Sequence, residues 1–262
     1  MDLRLNGKNA IVCGSTQGIG FAVAQQLASM GANITLLARN EEKLKAKVSE
    51  LEKIDSQHHG CIVADYSSPD SLQEKVEEFV SGTGPIHILV NNTGGPPGGP
   101  ITTAQTEEFT DAFSKHLICN HILASAVIPG MKAAGYGRIV NVISTSVKQP
   151  LNGLGVSNTV RGAVANWAKT MANELGEHNI TVNNVLPGAT NTARLSSIVS
   201  NKATKMGRSE EEVKSDMANA VPMKRVAEPH EVANAIAFLA SPAASYINGI
   251  NLPVDGGRTG SL

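Results

Sequence analysis

Cysteine is scarce in this chain of 262 residues: there are three, Cys13, Cys61 and Cys119. An odd count at wide spacing argues against a disulfide framework and against a cysteine metal knuckle. The seven histidines include no pair at ligand spacing. His58 and His59 read as solvated neighbours ahead of a strand, so no structural metal is expected. An excess of either charge is also missing. The formal net charge is −1, with no basic face or charge block, which argues against nucleic acid as a partner. Apolar runs are short and broken by polar residues, too short to span a bilayer. Residues 1–6 lack a signal-peptide core. The expectation is a cytoplasmic protein with no membrane partner. What the chain does have is apolar material, 41% of its residues, enough for a sizeable core in one large domain or two small ones.

Residues 10–20 read Ala-Ile-Val-Cys-Gly-Ser-Thr-Gln-Gly-Ile-Gly. A short apolar run leads into Gly14, Gly18 and Gly20. Phe21, Val23, Ala24, Leu27, Ala28 and Met30 then follow on a helical period. Strand, glycine turn and helix are the parts of a phosphate cradle. Glycine turns where other residues clash and lets backbone N–H groups approach a ligand. The helix start adds free N–H groups and a positive dipole end. The spacing differs from the common G-x-G-x-x-G fingerprint, and an ordinary strand-to-helix turn would look similar.

The alternation continues. Strands are expected at 33–38, 61–64, 86–90, 139–143, 180–186 and 250–254. Helices are expected at 41–54, from Pro69 through Val80, and at 107–134, 162–175, 210–220 and 231–240. The segment 190–226 reads as otherwise polar and irregular, an insertion over the carboxyl ends of the strands. Strands alternating with helices imply a parallel sheet covered on both faces, and unbroken apolar strands fit burial on both sides. The expected fold is α/β: one Rossmann domain over residues 1–262, with a seven-stranded parallel, doubly wound sheet.

Several stretches together resemble the short-chain dehydrogenase/reductase family across the whole chain. Gly14, Gly18 and Gly20 have that family's spacing. Asn91-Asn92-Thr93-Gly94 is similar to its Asn-Asn-Ala-Gly motif. Residues 137–144 are similar to its fifth strand ending in the catalytic serine, here Ser144. Pro187-Gly188 with Thr192 is similar to its nicotinamide-side loop, and Val254-Asp255-Gly256-Gly257 to its C-terminal motif. The general style is similar to 3-oxoacyl-carrier-protein reductases. The resemblance implies cofactor contacts from Gly14, Ser15, Thr16, Gly18, Ile19, Gly20, Asn92, Gly94, Pro187, Gly188 and Thr192. Asp65 matches the position that contacts the adenine, although a turn or capping role reads equally well. An acid after the second strand holds the free ribose of NAD(H). Here Ala38 and Arg39 stand there, and an arginine fork suits a 2′-phosphate. NADP(H) is therefore the expected cofactor, with a solvated loop cation as the plainer reading of Arg39.

The resemblance breaks at the catalytic residues. The family places Tyr-x-x-x-Lys thirteen residues after its serine; here Ser157 and Arg161 occupy those positions, and His116 falls on the family's helix asparagine. A tyrosine hydroxyl, with a pKa of about 10, can be lowered by a nearby cation into a useful acid. Serine is far weaker, and arginine keeps its proton. Tyr66, Tyr136 and Tyr246 offer no obvious rescue. Three readings follow. In the first, a reductase has altered proton handling: Ser144 and Ser157 hydrogen-bond the substrate oxygen, Arg161 supplies positive potential, and His116 moves the proton directly or through water. In the second, the protein is a catalytically silent NADP(H)-binding scaffold or partner subunit. In the third, the same fold performs enolisation, elimination or isomerisation. The lack of a G-x-S-x-G turn argues against a serine hydrolase.

The expected substrate is a small carbonyl or alcohol, walled by residues 93–100 and 190–226, with Gly207 as a hinge for a mobile lid. Lys148, Arg194 and Lys224 are candidates to meet an anionic substrate. The resemblance also implies a homotetramer, formed through helices at 107–134 and 157–176.

Overall fold

The computed structural model describes residues 1–54 and 56–261. Its first half runs β1 (Asn9–Cys13), α1 (Gly18–Ser29), β2 (Asn33–Ala38), α2 (Glu41–Ser49), β3 (Gly60–Val63), α3 (Pro69–Thr83) and β4 (Ile88–Asn91). The second half runs α4 (Thr106–Phe113), a π-turn (Ser114–Ile118), α5 (Cys119–Ala134), β5 (Gly137–Val142), α6 (Gly155–Leu175), β6 (Ile180–Pro187), α7 (Ala193–Met206), α8 (Glu210–Asn219), α9 (Pro229–Ala240) and β7 (Asn251–Val254). The seven strands form one sheet in the order β3-β2-β1-β4-β5-β6-β7, and every pairing is parallel. Strand order reverses between β1 and β4, which opens a crevice at the carboxyl ends of those strands.

Alternate residues of each strand feed two cores. Ala10, Val12, Ile88, Val90 and Val140 face α1 and α9. Ile11, Leu89, Ile139, Ile180 and Val182 face α3, α5 and α6. A polar row crosses this second face. Asn91, Asn141, Asn184 and Asn251 are register partners on four adjacent strands. Their amides form a chain: Asn91 Nδ2 donates to Asn141 Oδ1 (2.8 Å), Asn141 Nδ2 to Asn184 Oδ1 (2.9 Å) and Asn184 Nδ2 to Asn251 Oδ1 (2.9 Å).

Several elements differ from the sequence expectation. The helix expected at 210–220 is present as α8, but the residues before it are not irregular: α7 packs on α8 through Leu195, Val199, Ala203 and Val213. Ser209 opens α8 with a capping box to Glu212. The helix expected at 41–54 stops at Ser49, and Leu51 turns into the core. The helix expected from 162 begins at Gly155, where a Cβ would stand 2.5 Å from Ile101 Cβ. His59 is not simply solvated, because its Nδ1 accepts from Ile34 N–H at 3.1 Å. The helix expected over 107–134 is continuous but contains the π-turn. At 29 residues, Thr106–Ala134 is long and apolar enough to cross a membrane, contrary to the reading from run length; a third of its apolar window is buried. Its buried residues Leu123, Val127 and Met131 lie in the second core.

Candidate active site

The crevice begins at the glycine turn. Gly14 and Gly18 adopt φ of 57° and 55°, a region that favours glycine. A Cβ at Gly14 would stand 2.6 Å from Asn92 O; at Gly20 it would fall on Gly14 O and stand 2.8 Å from Asn92 Nδ2. Asn92 can therefore lie against the turn, where its Nδ2 donates to Cys13 O (3.2 Å) and Gly14 O (3.3 Å). The end of β4 and the end of β1 are thereby tied together. Gln17, the residue before α1, places no side-chain cap on the helix start. The first-turn N–H groups stay open to an anion, so this turn fits a dinucleotide pyrophosphate.

The other residues expected at the cofactor have varied surroundings. Ser15 is fully buried, and its Oγ accepts from Leu37 N–H at 3.1 Å. Its side chain therefore splices β2 to the turn instead of facing the crevice. Thr16 is half-buried, and the half-buried Ile19 packs on the first core. Arg39 is exposed at the carboxyl end of β2, and no ion pair engages it among the described residues. Its neighbour Asn40 caps α2 through Lys43 N–H. Asp65 is exposed and its Oδ1 accepts from Ser67 N–H at 2.9 Å, a turn contact. Gly94 is exposed in the loop after β4.

Across the crevice, Pro187 ends β6, and a Cβ at Gly188 would stand 2.8 Å from Asp255 Cα. Thr192 caps α7 by accepting from Leu195 N–H at 3.3 Å. Its methyl lies 3.1 Å from where a Gly18 Cβ would be, so the start of α7 closes over the glycine turn. Gly207, expected as a hinge, ends α7 in the left-handed conformation with φ 63°. The signal for α7 was present in the sequence: a capping Thr192 followed by Leu195, Val199 and Ala203 at helical spacing.

The catalytic candidates gather around the end of β5. Ser144 is half-buried in extended backbone, and its Oγ accepts from Ser146 N–H at 3.1 Å. Ser157 lies in the first turn of α6, half-buried, and Arg161 follows one turn later. Arg161 is 7% exposed, and its Nη1 donates to Val142 O at 3.1 Å. Burial pushes its pKa down to about 10, and the charge of Arg194 adds to this. It remains a full cation at neutral pH.

His116 sits in the π-turn, which packs against α6. One extra residue in the turn alters which side chains point inward, and such turns are common at functional sites. His116 is 2% exposed and its Nδ1 has no hydrogen-bond partner among the described residues. Burial first, then Arg161 and Lys115, push its pKa down to about 2. The imidazole therefore stays neutral well below pH 7, in the range where the ordinary histidine pKa expected from sequence would charge it. Asn120, four residues on, is also buried with an unpartnered Oδ1. The tyrosines offer no substitute acid. Tyr66 is buried beside Cys13, and burial pushes its pKa well up. Tyr136 donates to Ala240 O at 2.7 Å, at the amino end of β5 and away from the crevice. Tyr246 is fully exposed ahead of β7.

A family model described as enoyl-(acyl carrier protein) reductase matches residues 14–259. The chain belongs to the short-chain dehydrogenase/reductase family. Family relatives cover nearly all of its length. A tropinone reductase homolog from Arabidopsis thaliana is 33% identical over 97% of this chain and 76% of its own. The 7alpha-hydroxysteroid dehydrogenase of Escherichia coli K12 is 32% identical over 100% of this chain and 98% of its own. L-sorbose reductase from Gluconobacter frateurii, solved with NADPH and L-sorbose, superposes with a TM-score of 0.93 at 32% identity, covering 100% of both chains.

Proposed function

We propose that this family member is an NADP(H)-dependent oxidoreductase that interconverts a carbonyl and an alcohol on a small molecule, with atypical proton-transfer residues. The observation that carries the reading is the glycine turn with its uncapped helix start, set beside an exposed Arg39 where a free ribose would need an acid. Gly14, Gly18, Gly20 and the first turn of α1 would hold the pyrophosphate, and Arg39 the 2′-phosphate. Pro187, Gly188 and Thr192 would border the nicotinamide.

The bound cofactor supplies a hydride; the chain must handle the matching proton. Ser144 and Ser157 hydrogen-bond the substrate oxygen. Arg161, held by Val142 O, stabilises negative charge as it develops there. His116 acts as a neutral relay: its ring takes a proton at one nitrogen as it gives one up from the other. A neutral ring does this without first becoming a stable imidazolium, which its lowered pKa disfavours.

The neutral state of His116 and the missing tyrosine also favour a second reading, a catalytically silent NADP(H)-binding scaffold or partner subunit. Titration with NADPH and NADH, followed by a panel of ketones and aldehydes, separates the two. The enzyme reading expects NADPH-selective binding and NADPH oxidation that falls sharply in Ser144→Ala and Arg161→Gln. Cofactor binding with no turnover across the panel sinks it in favour of the scaffold. Self-association as a homotetramer belongs to the same proposal. An apolar groove of about 340 Å³ lies between α4, the π-turn and α6, with Phe113 and Ile118 exposed along it. Sedimentation should return four times the 27.4 kDa chain mass.

A further inference from the structure

We propose that the substrate is an oxo acid, and that Arg194, with Arg161 behind it, seats the substrate's carboxylate across the mouth of the crevice. The inference rests on the oxidoreductase reading and narrows its substrate class.

The first observation is where the acids are not. Of 23 Asp and Glu residues, only Glu107, Glu108, Asp111, Glu174 and Glu177 fall between positions 79 and 209. The first three lie on α4, where Glu108 joins the cap and Asp111 pairs with Lys115. Glu174 lies in the last turn of α6 and Glu177 just after it, at the amino end of β6 and opposite the crevice. The loop at 93–100, the stretch from Ser144 to Arg161 and the first turn of α7 therefore carry no carboxylate.

The second observation is two guanidinium groups set among these acid-free segments. Arg194 Nη2 donates to Pro96 O at 2.8 Å, so it joins α7 to the 93–100 loop. A Cβ at Gly95 would stand 3.6 Å from the same nitrogen, so the guanidinium lies along that backbone. Arg161 is buried and bonded to one carbonyl. Neither arginine has a carboxylate within ion-pair distance among the described residues. The charge of Arg194 is felt at Arg161 and disfavours its protonated form. A buried cation in the field of another cation is costly to hold without an anion. A planar two-donor fork is the geometry that carboxylates bind best.

The other charges nearby are already engaged. Asp255 accepts from Thr259 and Gly257, and Glu228 from Asn191. Of the two other cations considered from sequence, Lys224 turns to Asn219 O. Lys148 is half-buried. In the reaction, the carbonyl carbon of the oxo acid gains a hydride from NADPH and its oxygen gains a proton. The products are the hydroxy acid and NADP⁺, and the carboxylate is unchanged.

The competing anion is the cofactor's own pyrophosphate, because Thr192 places α7 beside Gly18. The experiment separates them. NADPH affinity is measured first for the wild type, Arg194→Gln and Arg194→Lys. The NADP⁺-saturated proteins are then titrated calorimetrically with pyruvate, acetoacetate, levulinate and phenylpyruvate, and with the methyl ester of each. We expect at least one acid to bind the wild type, with its ester at least about tenfold weaker. Arg194→Gln should lose about tenfold or more for the acid, as expected for a lost bond to a charged group. Arg194→Lys should keep part of the affinity, and NADPH affinity should change less than twofold in both variants. Equal binding of acid and ester overturns the proposal, as does binding of no acid. A loss of NADPH affinity matching the loss for the acid assigns Arg194 to the cofactor and also overturns it. Failure of the wild type to bind NADPH overturns the oxidoreductase reading itself, before any acid is added.

Discussion

The row of asparagine amides across β4, β5, β6 and β7 allows a quantitative test. Asn141, at 0% exposure, sits inside the chain and both accepts from Asn91 and donates to Asn184. Replacing it with leucine leaves Asn91 Nδ2 and Asn184 Oδ1 buried and unpaired. Each orphan costs about 1–3 kcal/mol, and the leucine recovers about 1–2 kcal/mol of apolar burial. The net expectation is a loss of about 3 kcal/mol. Asn91, at 1% exposure, ends the row, and its Oδ1 has no partner among the described residues. Asn91→Leu creates one orphan at Asn141 Oδ1, removes an existing one and recovers the same apolar burial, so its terms sum to no net loss. Urea titration at fixed protein concentration reads the difference from the midpoints. Thermal midpoints should fall by about 6–12 °C for Asn141→Leu, given about 2–4 °C per kcal/mol at this size, and should hold for Asn91→Leu. If Asn141→Leu costs no more than Asn91→Leu, the row is not a connected network and the reasoning is wrong.

Arg39→Asp should weaken NADPH binding about tenfold or more while NADH binding holds or improves, measured by fluorescence titration of each nucleotide. His116 gives a pH prediction. The unfolded chain takes up its proton near pH 6.5, while the folded protein resists protonation down to about 2. The unfolded state therefore binds more protons between those values, so stability falls as pH drops through that window. His116→Asn removes this dependence, and the drop in stability from pH 7 to pH 5 should be about 2 kcal/mol smaller than in wild type. An equal drop in both proteins would show that His116 is protonated in the fold. Gly20→Ala should abolish nucleotide binding and lower the thermal midpoint, because its Cβ would meet Gly14 O and Asn92 with no side-chain freedom to yield. A variant that binds NADPH as wild type does would mean that the turn relaxes around the methyl.

The alternation of short apolar runs with helical periods determines the parallel doubly wound sheet, because each local preference points to the same layer order. The strand at 33–38 is correct to the residue, and the others lie within two residues of their observed ends. The glycine turn was also readable, since its spacing answers to backbone geometry alone. Tertiary structure decided the rest. Ser15 looked like a cofactor ligand, but the approach of β2 buries it against Leu37 N–H. The helix expected at 210–220 is α8, whereas α7 went unread because its short apolar face is buried mainly on α8 and the rest of its surface is polar. His116 was read with an ordinary pKa, yet its charge state depends on burial and on Arg161, 45 positions away in sequence. The asparagines at 91, 141, 184 and 251 are scattered polar residues until parallel register brings them side by side. Pairing across a sheet and the field inside a crevice are sums over distant residues, and neither exists until the chain has folded.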